Sequence, residues 1–357
     1  MFIHQNFIGG NICVKEINGN TVRLENELRD TTENWFYWAF CVEGAENKTL
    51  TFELQECRLG YFGPAVSHDL KNWRWLDSVD GDCFTYHFGE SENKVYFAHS
   101  MLYHPGRFCD FATKHNLEVD ELCKGYKGSS VPCVNFGEGK TSIILTARHH
   151  ACESTGNYVL EGVLEELIAN PIPDIKVFCV PFVDYEGVIR GDQGKRRAPH
   201  DHNRDYSHDE DSIYPECNAI KEYAIANGCH YGFDFHSPWH KGGENDTVFI
   251  VQNSTEKLER LNRFGELLEE SIIPASLKYE HKNDYPLGTG WNKGGASFAK
   301  YMSKRKENNI AFTLETAYFG IPDNKVSADK LLELGHCFAK ALRKYIEEAR
   351  QHENSEI

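Results

Sequence analysis

Residues 141 to 153 read Thr-Ser-Ile-Ile-Leu-Thr-Ala-Arg-His-His-Ala-Cys-Glu. The first seven residues, 141–147, form a continuous apolar run of strand length, which is typical of a strand covered on both faces. His150 and Glu153 follow on the loop that leaves this strand, in an H-x-x-E pattern. This spacing lets an imidazole and a carboxylate converge on one metal ion. The stretch therefore predicts a buried strand that ends at a candidate metal site.

Strand and helix patterns alternate around this stretch from about residue 106 onward. Residues 176–182 repeat the buried-strand pattern, and apolar residues recur at helical spacing over 159–168 until Pro171 stops the helix. Further amphipathic helices are predicted over 214–228, 255–272 and 328–351. This alternation predicts an α/β/α domain with a mixed or parallel sheet. In such a sheet the site lies at the carboxyl ends of the strands.

Residues 1–105 have a different pattern. Short aromatic or alternating runs, separated by polar turns, occur at 35–42, 50–54 and 94–98. Aromatic and β-branched residues suit a pleated, half-buried surface, so this region is predicted to be an antiparallel β-sandwich. The sequence thus predicts two domains: an N-terminal β-sandwich over 1–105 and a catalytic α/β domain over 106–357.

The composition limits the class of partner. The 357 residues carry a formal net charge of −16, which argues against a nucleic-acid partner and against an anionic membrane surface. No stretch of about 18 apolar residues occurs, so no membrane span is expected. With 40% hydrophobic residues, the chain is expected to be globular. Its oligomeric state is left open.

The cysteines and the N-terminus favour the cytoplasm. The 12 cysteines are scattered singly, without a C-x-x-C pair, and disulfide frameworks belong mainly to short secreted chains. The first residues lack a basic start followed by a long apolar run, so no signal peptide is predicted. We therefore expect free thiols in a reducing, cytoplasmic setting.

The remaining histidines offer a candidate for a third metal ligand. A catalytic zinc ion needs three protein ligands and an open position. His236 ends an apolar segment at another strand-to-loop boundary, and it is the candidate for the third ligand. His149 is interpreted as a neighbour because its spacing to Glu153 is four, and Cys152 stays open as an alternative thiolate ligand. By itself H-x-x-E is a weak signal, since 17 histidines and 54 acidic residues produce it by chance.

Further motifs, in a fixed order along the chain, strengthen the prediction of a metal site. Five short motifs follow one another: His-x-x-Glu at 150–153, Pro-Phe-Val-Asp-Tyr-Glu-Gly-Val at 181–188, Asp-His-Asn-Arg-Asp-Tyr at 201–206, Asp-x-His at 234–236 and Phe-Thr-Leu-Glu-Thr at 312–316. This series resembles the zinc metallocarboxypeptidases, or funnelins, and most closely their cytosolic carboxypeptidase branch. The aromatic N-terminal region also resembles the β-sandwich of that branch, so the resemblance covers nearly the whole chain.

The resemblance implies a zinc site and its support. His150, Glu153 and His236 would hold one zinc ion per chain. Asp201 would accept a hydrogen bond from the far nitrogen of a ligand histidine, with His150 as the candidate, and thereby fix its tautomer and orientation.

The resemblance also implies catalytic and substrate-binding roles. Asn203 and Arg204 would bind the terminal carboxylate of the substrate, which a guanidinium fork fits well. Arg196, or alternatively Arg197, would stabilise the oxyanion that forms on the scissile carbonyl. Glu315 would take a proton from the zinc-bound water and later deliver it to the departing nitrogen.

Several positions depart from the family pattern. Ala151 and Cys152 replace the usual Pro-Gly of the ligand loop. In deglutamylating members, a basic residue before the catalytic glutamate reads an acidic side chain. Residues 294–300 carry no arginine at the best-matching position, so removal of C-terminal glutamate is not supported. A tyrosine that contacts substrate is expected nearby, and Tyr285 and Tyr301 are both candidates.

Three functions compete at this point. The first is a metallocarboxypeptidase that removes the last residue of a peptide or of an isopeptide-like branch. The second is a zinc amidohydrolase acting on a small acyl-amino acid, because the spacing between Arg196 and Arg204 is similar to that of aspartoacylase-like deacylases. The third is a catalytically inactive binding module, which intact ligands and Glu315 argue against.

Overall fold

The computed structural model describes residues 1–54, 59–207 and 211–355. Strands dominate the first hundred residues. They are β1 (Phe2–His4), β2 (Cys13–Asn18), β3 (Thr21–Glu25), β4 (Ala39–Glu43), β5 (Thr49–Leu54), β6 (Ala65–Ser67), β7 (Arg74–Trp75), β8 (Cys83–His87) and β9 (Lys94–Ala98). Two sheets result, with the strand orders β1-β4-β9-β6-β7 and β2-β3-β5-β8.

The two N-terminal sheets share one aromatic core. The ring of Phe52 from β5 lies 5.3 Å from that of Phe40 on β4 and 5.5 Å from that of Phe97 on β9. The pairings of the five-stranded sheet are antiparallel, as predicted. The four-stranded sheet contains one parallel pair, β3 with β5, because the intervening β4 crosses to the other sheet.

The remainder of the chain alternates strands and helices. The helices are α1 (Pro105–Lys114), α2 (Thr155–Ala169), α3 (Tyr185–Arg190), α4 (Pro215–Asn227), α5 (Leu258–Ser271), α6 (Phe298–Ser303) and α7 (Ala328–Ser355). The strands are β10 (Val119–Lys124), β11 (Ser130–Phe136), β12 (Thr141–Ala147), β13 (Ile175–Val180), β14 (Tyr231–His236), β15 (Val248–Val251), β16 (Ile310–Thr316), β17 (Gly320–Ile321) and β18 (Asn324–Lys325).

A seven-stranded mixed sheet organises this half, in the order β10-β11-β13-β12-β14-β16-β15. The four central strands run parallel to one another, whereas β10, β11 and β15 pair antiparallel at the two edges. Side chains of β12 alternate between the two faces, as the strand period of two requires. Ile143 and Leu145 join a core with α2, α5 and α7, and Ile144 joins a core with α4 and α6. The predicted α/β/α arrangement is confirmed.

The two halves are in intimate contact. Trp35, Phe36 and Tyr37 belong to the same buried cluster as the helices on one face of the large sheet. The fully buried Gln193 of the second half accepts a hydrogen bond from the backbone N–H of Tyr37 and donates to the Tyr37 carbonyl. The division of the chain at residue 105 stays a prediction, and in the structure that residue is the first of α1.

Two further expectations concern thiols and membranes. The cysteines that the structure describes are all free, and Cys57 lies outside the described residues. Across the described ranges, no helix is both long and apolar enough to cross a bilayer.

Candidate active site

The ligand loop begins where β12 ends. Arg148, the first residue after the strand, has a φ of 59°, in the left-handed region, and its buried guanidinium donates to the carbonyl of Ala151 at 2.9 Å. The backbone N–H of Glu153 donates to the carbonyl of His150 at 3.1 Å, which tightens the turn. This local folding turns His150 and Glu153 toward the same point before α2 begins at Thr155.

Neighbouring strands bring the other two predicted residues to the same edge of the sheet. His236 is the last residue of β14, and it pairs directly with Glu315 on the parallel strand β16. Because β14 also pairs with β12, the loop that carries His150 lies beside both. The carboxyl ends of three adjacent parallel strands thus form the site, as expected for an open α/β sheet.

Three predicted metal ligands converge. Nδ1 of His150 lies 2.9 Å from Oε1 of Glu153, and Nδ1 of His236 lies 2.7 Å from Oε2 of the same carboxylate. The ligand atoms of the three residues lie within 4.8 Å of one another, and each residue is at most 2% exposed.

A carboxylate lies behind each of the two histidines, and the one behind His236 is hydrogen-bonded to it. Nε2 of His236 lies 2.6 Å from Oδ2 of Asp234, and Nε2 of His150 lies 3.4 Å from Oδ1 of Asp201. Asp234 also faces Nδ1 of His149 at 2.8 Å, and the other ring nitrogen of His149 lies 2.7 Å from the Tyr206 hydroxyl. His149 therefore supports the Asp234 carboxylate, which in turn supports His236. Such contacts leave the Nδ1 atoms of His150 and His236 available to a metal ion.

The donor set suits zinc. Two imidazole nitrogens and one carboxylate, with room for a further ligand, are typical of catalytic zinc sites. Burial lowers the pKa of His236, but the carboxylates of Asp234 and Glu153 outweigh it and hold the pKa well above its ordinary value. These acids thus stabilise positive charge at the point where the ligand atoms meet. The residues present fit a divalent ion.

Glu315 is a buried carboxyl beside this cluster. It is 7% exposed, and its Oε2 atom has no hydrogen-bond partner among the described residues. Burial, together with repulsion by Glu153, raises the pKa of Glu315 to about 7. A carboxyl group with such a pKa can both accept and return a proton near neutral pH.

Lys195 is a site residue that the sequence did not reveal. Its Nζ lies 3.0 Å from Oε1 of Glu153. Burial lowers the pKa of this ammonium group, but the carboxylates of Glu153 and Glu315 more than compensate, so the pKa is raised. Lys195 is therefore a fixed positive charge next to the metal ligands. Its neighbours in sequence are arginines, so no local pattern singled it out.

The N-terminal half positions the loop that carries Lys195. The carboxylate of Asp30 accepts hydrogen bonds from the backbone N–H groups of Gln193 and Gly194, both at 2.7 Å. Gly194 has a φ of 75°, and a Cβ at this position would lie 2.1 Å from the backbone nitrogen of Ala151. Only glycine allows the loop to pack so closely against the ligand loop.

The two arginines that follow have different surroundings. Arg196 lines the cavity with a side chain that is 63% exposed, and its Nε lies 3.7 Å from Oε2 of Glu33. Arg197 is buried among the carboxylates of Asp30, Asp184 and Asp192, at 2.9, 2.8 and 3.3 Å. Arg197 therefore has a supporting role in the fold, and Arg196 remains available to a ligand.

The predicted carboxylate-binding pair lies on one wall of the cavity. Asn203 and Arg204 belong to a short 3-10 turn, His202–Arg204. Asn203 is buried, and its Oδ1 accepts a hydrogen bond from the backbone N–H of Phe298 at 3.1 Å, whereas Arg204 is exposed to the cavity.

The remaining candidates are less favourably placed. Neither Tyr285 nor Tyr301 is among the described residues that line the cavity. Tyr285 stacks on Trp291 with 4.9 Å between ring centroids, and Tyr301 is buried. Burial raises the pKa of Cys152 to about 12, and its sulfur lies 3.8 Å from the Tyr318 hydroxyl, so a thiolate ligand is disfavoured.

The two histidines of the cluster, Glu315 and the cations Lys195, Arg196 and Arg204 border one cavity of about 840 Å³. Its lining includes residues from both halves of the chain, among them Trp35 near the ligands and the exposed Trp239 and Trp291 at the mouth. A volume of this size accommodates a small peptide end.

Comparisons with known proteins agree with this geometry. No protein-family model matches the chain. An uncharacterized protein of Zymomonas mobilis is 28% identical over 255 residues, which cover 66% of this chain and 67% of that protein. Cytosolic carboxypeptidase 2 of Xenopus tropicalis is 25% identical over 347 residues, which cover 84% of this chain. The chain matches only 34% of that relative's length.

Solved structures extend the similarity over nearly the whole chain. A metallo-carboxypeptidase from Pseudomonas aeruginosa, in complex with (2-guanidinoethylmercapto)succinic acid, has a TM-score of 0.79 at 21% identity and covers 98% of this chain and 100% of its own. A metallo-carboxypeptidase from Burkholderia cenocepacia has a TM-score of 0.79 at 18% identity, with 97% and 99% covered. The resemblance seen in the sequence motifs is confirmed: the chain has the metallo-carboxypeptidase fold.

Proposed function

We propose that this protein is a zinc-dependent metallocarboxypeptidase that hydrolyses the C-terminal bond of a peptide or of an isopeptide-like branch. The observation that carries the proposal is the meeting of His150, Glu153 and His236 beside the buried carboxyl of Glu315, whose Oε2 has no hydrogen-bond partner among the described residues. The fold of the solved metallo-carboxypeptidases and the similarity to cytosolic carboxypeptidase 2 support it.

The metal ligands in this proposal are His150, Glu153 and His236. When bound there, zinc supplies Lewis acidity, which polarises a carbonyl group and lowers the pKa of a water molecule to about 7. Asp201 and Asp234 hold the two imidazoles in the tautomer that directs Nδ1 at the ion.

Glu315 transfers the proton. Its carboxylate accepts a proton from the attacking water as the new carbon–oxygen bond forms and the carbonyl oxygen becomes an oxyanion. It then donates that proton to the amide nitrogen, and the carbon–nitrogen bond breaks as the oxyanion returns to a carbonyl. The raised pKa of Glu315 suits both steps. The reaction needs no covalent intermediate.

Cations position the substrate and balance its charge. Arg204, with Asn203 beside it, binds the terminal carboxylate, because the guanidinium group is exposed to the cavity and planar. The oxyanion requires a further positive group. Arg196 is one candidate, and Lys195 is a second, favoured by its burial beside Glu153 and Glu315.

We place this activity in the cytoplasm. The free thiols of the described cysteines suit a reducing compartment.

The proposal is tested by metal analysis of the purified protein together with mass-spectrometric profiling of a peptide library that varies at the C-terminus. We expect about one zinc ion per chain and removal of single C-terminal residues. Zinc without trimming, but with turnover of acyl-amino acids, would establish the small-amide hydrolase instead. Zinc without any turnover would identify a binding module, and absence of zinc would refute the ligand assignment.

A further inference from the structure

One wall of the cavity is polar and has no role in the chemistry described above. Val251, Asn253 and Thr313 all line the cavity, and each is more than nine-tenths buried. Val251 on β15 pairs directly with Thr313 on β16. Thr313 precedes Glu315 by two residues and therefore lies on the same face of the strand, about 7 Å farther from the reacting groups. The wall thus borders the space beyond the scissile bond.

Asn253 is the unusual residue of this wall. It is 9% exposed, and neither Oδ1 nor Nδ2 of its side chain has a hydrogen-bond partner among the described residues. The backbone of the preceding residue is held from both sides: the N–H of Gln252 donates to the carbonyl of Tyr285 at 3.0 Å, and the carbonyl of Gln252 accepts from Nδ2 of Asn292 at 2.8 Å. Asn253 thus follows directly on a fixed residue, and it lines the cavity.

The buried amide group of Asn253 favours a ligand that can both donate and accept a hydrogen bond. This amide offers one acceptor and a donor side by side, whichever way the amide is oriented. An apolar side chain would leave both atoms unpaired in a buried place, which is unfavourable. A carboxylate can pair with the donor but presents only acceptors to the oxygen. A carboxamide carries both a donor and an acceptor, so it pairs with both atoms at once.

The distribution of charge also disfavours an acidic ligand at this wall. The buried charged groups of the cavity belong to the metal cluster, apart from Arg197, which three carboxylates already neutralise. Lys300 also lines the cavity, but its ammonium lies against Gly294, an exposed residue of the outer loop, 2.9 Å from where a Cβ of Gly294 would be. The buried wall itself is neutral.

We propose that Val251, Asn253 and Thr313 form a specificity pocket for a carboxamide side chain. Given the carboxypeptidase function proposed above, on which this inference rests, the protein removes C-terminal glutamine and asparagine in preference to glutamate, aspartate and aliphatic residues. Asn253 is the residue that determines this preference.

The test separates the pocket from the chemistry. Zinc-loaded Glu315→Gln protein is titrated calorimetrically with N-blocked dipeptides that end in glutamine, glutamate or methionine, three side chains of similar length. We expect the glutamine dipeptide to bind at least roughly tenfold more tightly than the other two. Addition of Asn253→Leu should abolish this advantage. Addition of Asn253→Asp, which keeps the size of the side chain, should weaken binding of the glutamine dipeptide, and the glutamate dipeptide should then bind most weakly of the three. Lys300→Met serves as the matched control and should leave the order unchanged.

Each outcome is decisive. The proposal would be overturned if the glutamate dipeptide bound most tightly and if Lys300→Met removed that preference. This result would establish a specificity for acidic side chains that depends on Lys300. Equal binding of the three dipeptides, or a preference for methionine, would also overturn the proposal. Preferred binding of glutamine without hydrolysis by the wild-type protein would sustain the pocket while refuting the carboxypeptidase function.

Discussion

The ammonium of Lys195 lies 3.0 Å from the carboxylate of Glu153, one of the three proposed metal ligands. Lys195 is therefore a cation in direct contact with the proposed metal site, whereas the side chain of the next residue, Arg196, is 63% exposed. The sequence assigns the oxyanion to Arg196, or alternatively Arg197, whereas this contact makes Lys195 a further candidate.

Exchange of Lys195 and of Arg196 for glutamine separates their roles. We expect Lys195→Gln to lower kcat by about 10²-fold, because removal of one oxyanion-stabilising group typically costs this much. Arg196→Gln should change kcat by less than about threefold. Steady-state kinetics with zinc content measured in parallel checks the prediction, and the reverse order of effects would assign the oxyanion to Arg196.

Glu315→Gln should retain zinc and lose hydrolysis by about 10²-fold or more, since a carboxamide cannot accept a proton. Glu244→Gln, at an exposed glutamate of the same cavity, is the control and should have nearly normal activity. Full activity of the Glu315 variant would exclude it as the general base.

Asp234→Asn should weaken zinc binding by about 10- to 100-fold, because the carboxylate that orients His236 is lost. Asp201→Asn should have a comparable effect through His150. Competition with a chromophoric chelator measures both affinities, and thermal melting confirms that the variants are folded. Unchanged zinc affinity in both variants would contradict the orienting role.

Arg204→Ala should raise KM for substrates with a free C-terminal carboxylate by about tenfold or more, through loss of a charge-assisted contact. The same peptides with an amidated C-terminus are the control, and their turnover, already low, should barely change. An equal loss on both kinds of peptide would remove Arg204 from carboxylate recognition.

The buried carboxyl of Glu216, on α4, should make the free energy of unfolding depend on pH. Burial, assisted by the nearby Asp184 carboxylate, raises the pKa of Glu216 to about 7. A raised pKa means that the folded protein binds the proton more tightly than the unfolded chain. This contribution to stability is complete below the ordinary pKa of about 4.5 and is lost as the pH rises through 7.

Glu216→Gln mimics the protonated form at every pH. The variant should therefore gain about 2 kcal/mol in free energy of unfolding relative to wild type between pH 5 and pH 8. Urea unfolding at both pH values measures the difference. Glu222→Gln, at an exposed residue of the same helix, should show no such gain. A variant that is equally destabilised at both pH values would contradict the assignment.

The sequence predicted the elements whose pattern is long and regular. Strand β12 has the predicted bounds, Thr141–Ala147, because a strand between two helical layers is apolar on both faces. The six-residue helices α3 and α6 were missed. They are too short for a periodic pattern, and each depends on one capping side chain, Asp184 or Ser297.

Some residues of the candidate site could likewise be predicted from the sequence, and others could not. The H-x-x-E spacing indicates His150 and Glu153, and the end of an apolar segment indicates His236; the structure brings the three together. Asp234 belongs to the Asp-x-His motif, and its contact with His236 follows from their spacing, because residues two apart on a strand lie on one face. The position of Lys195 was not predictable, because it depends on hydrogen bonds to residues more than 150 positions away in the chain.

Asp30 and Tyr37 of the N-terminal half hold the loop that carries Lys195, and this limits where the gene can be divided. A product expressed from residue 106 onward would lack the partners of Gln193 and Gly194, and several buried donors and acceptors would be left without hydrogen bonds, at about 1–3 kcal/mol each. Recombination between the two halves would therefore separate groups that are functional only together. The N-terminal sheets and the half that carries the proposed metal site are expected to be inherited as a single unit.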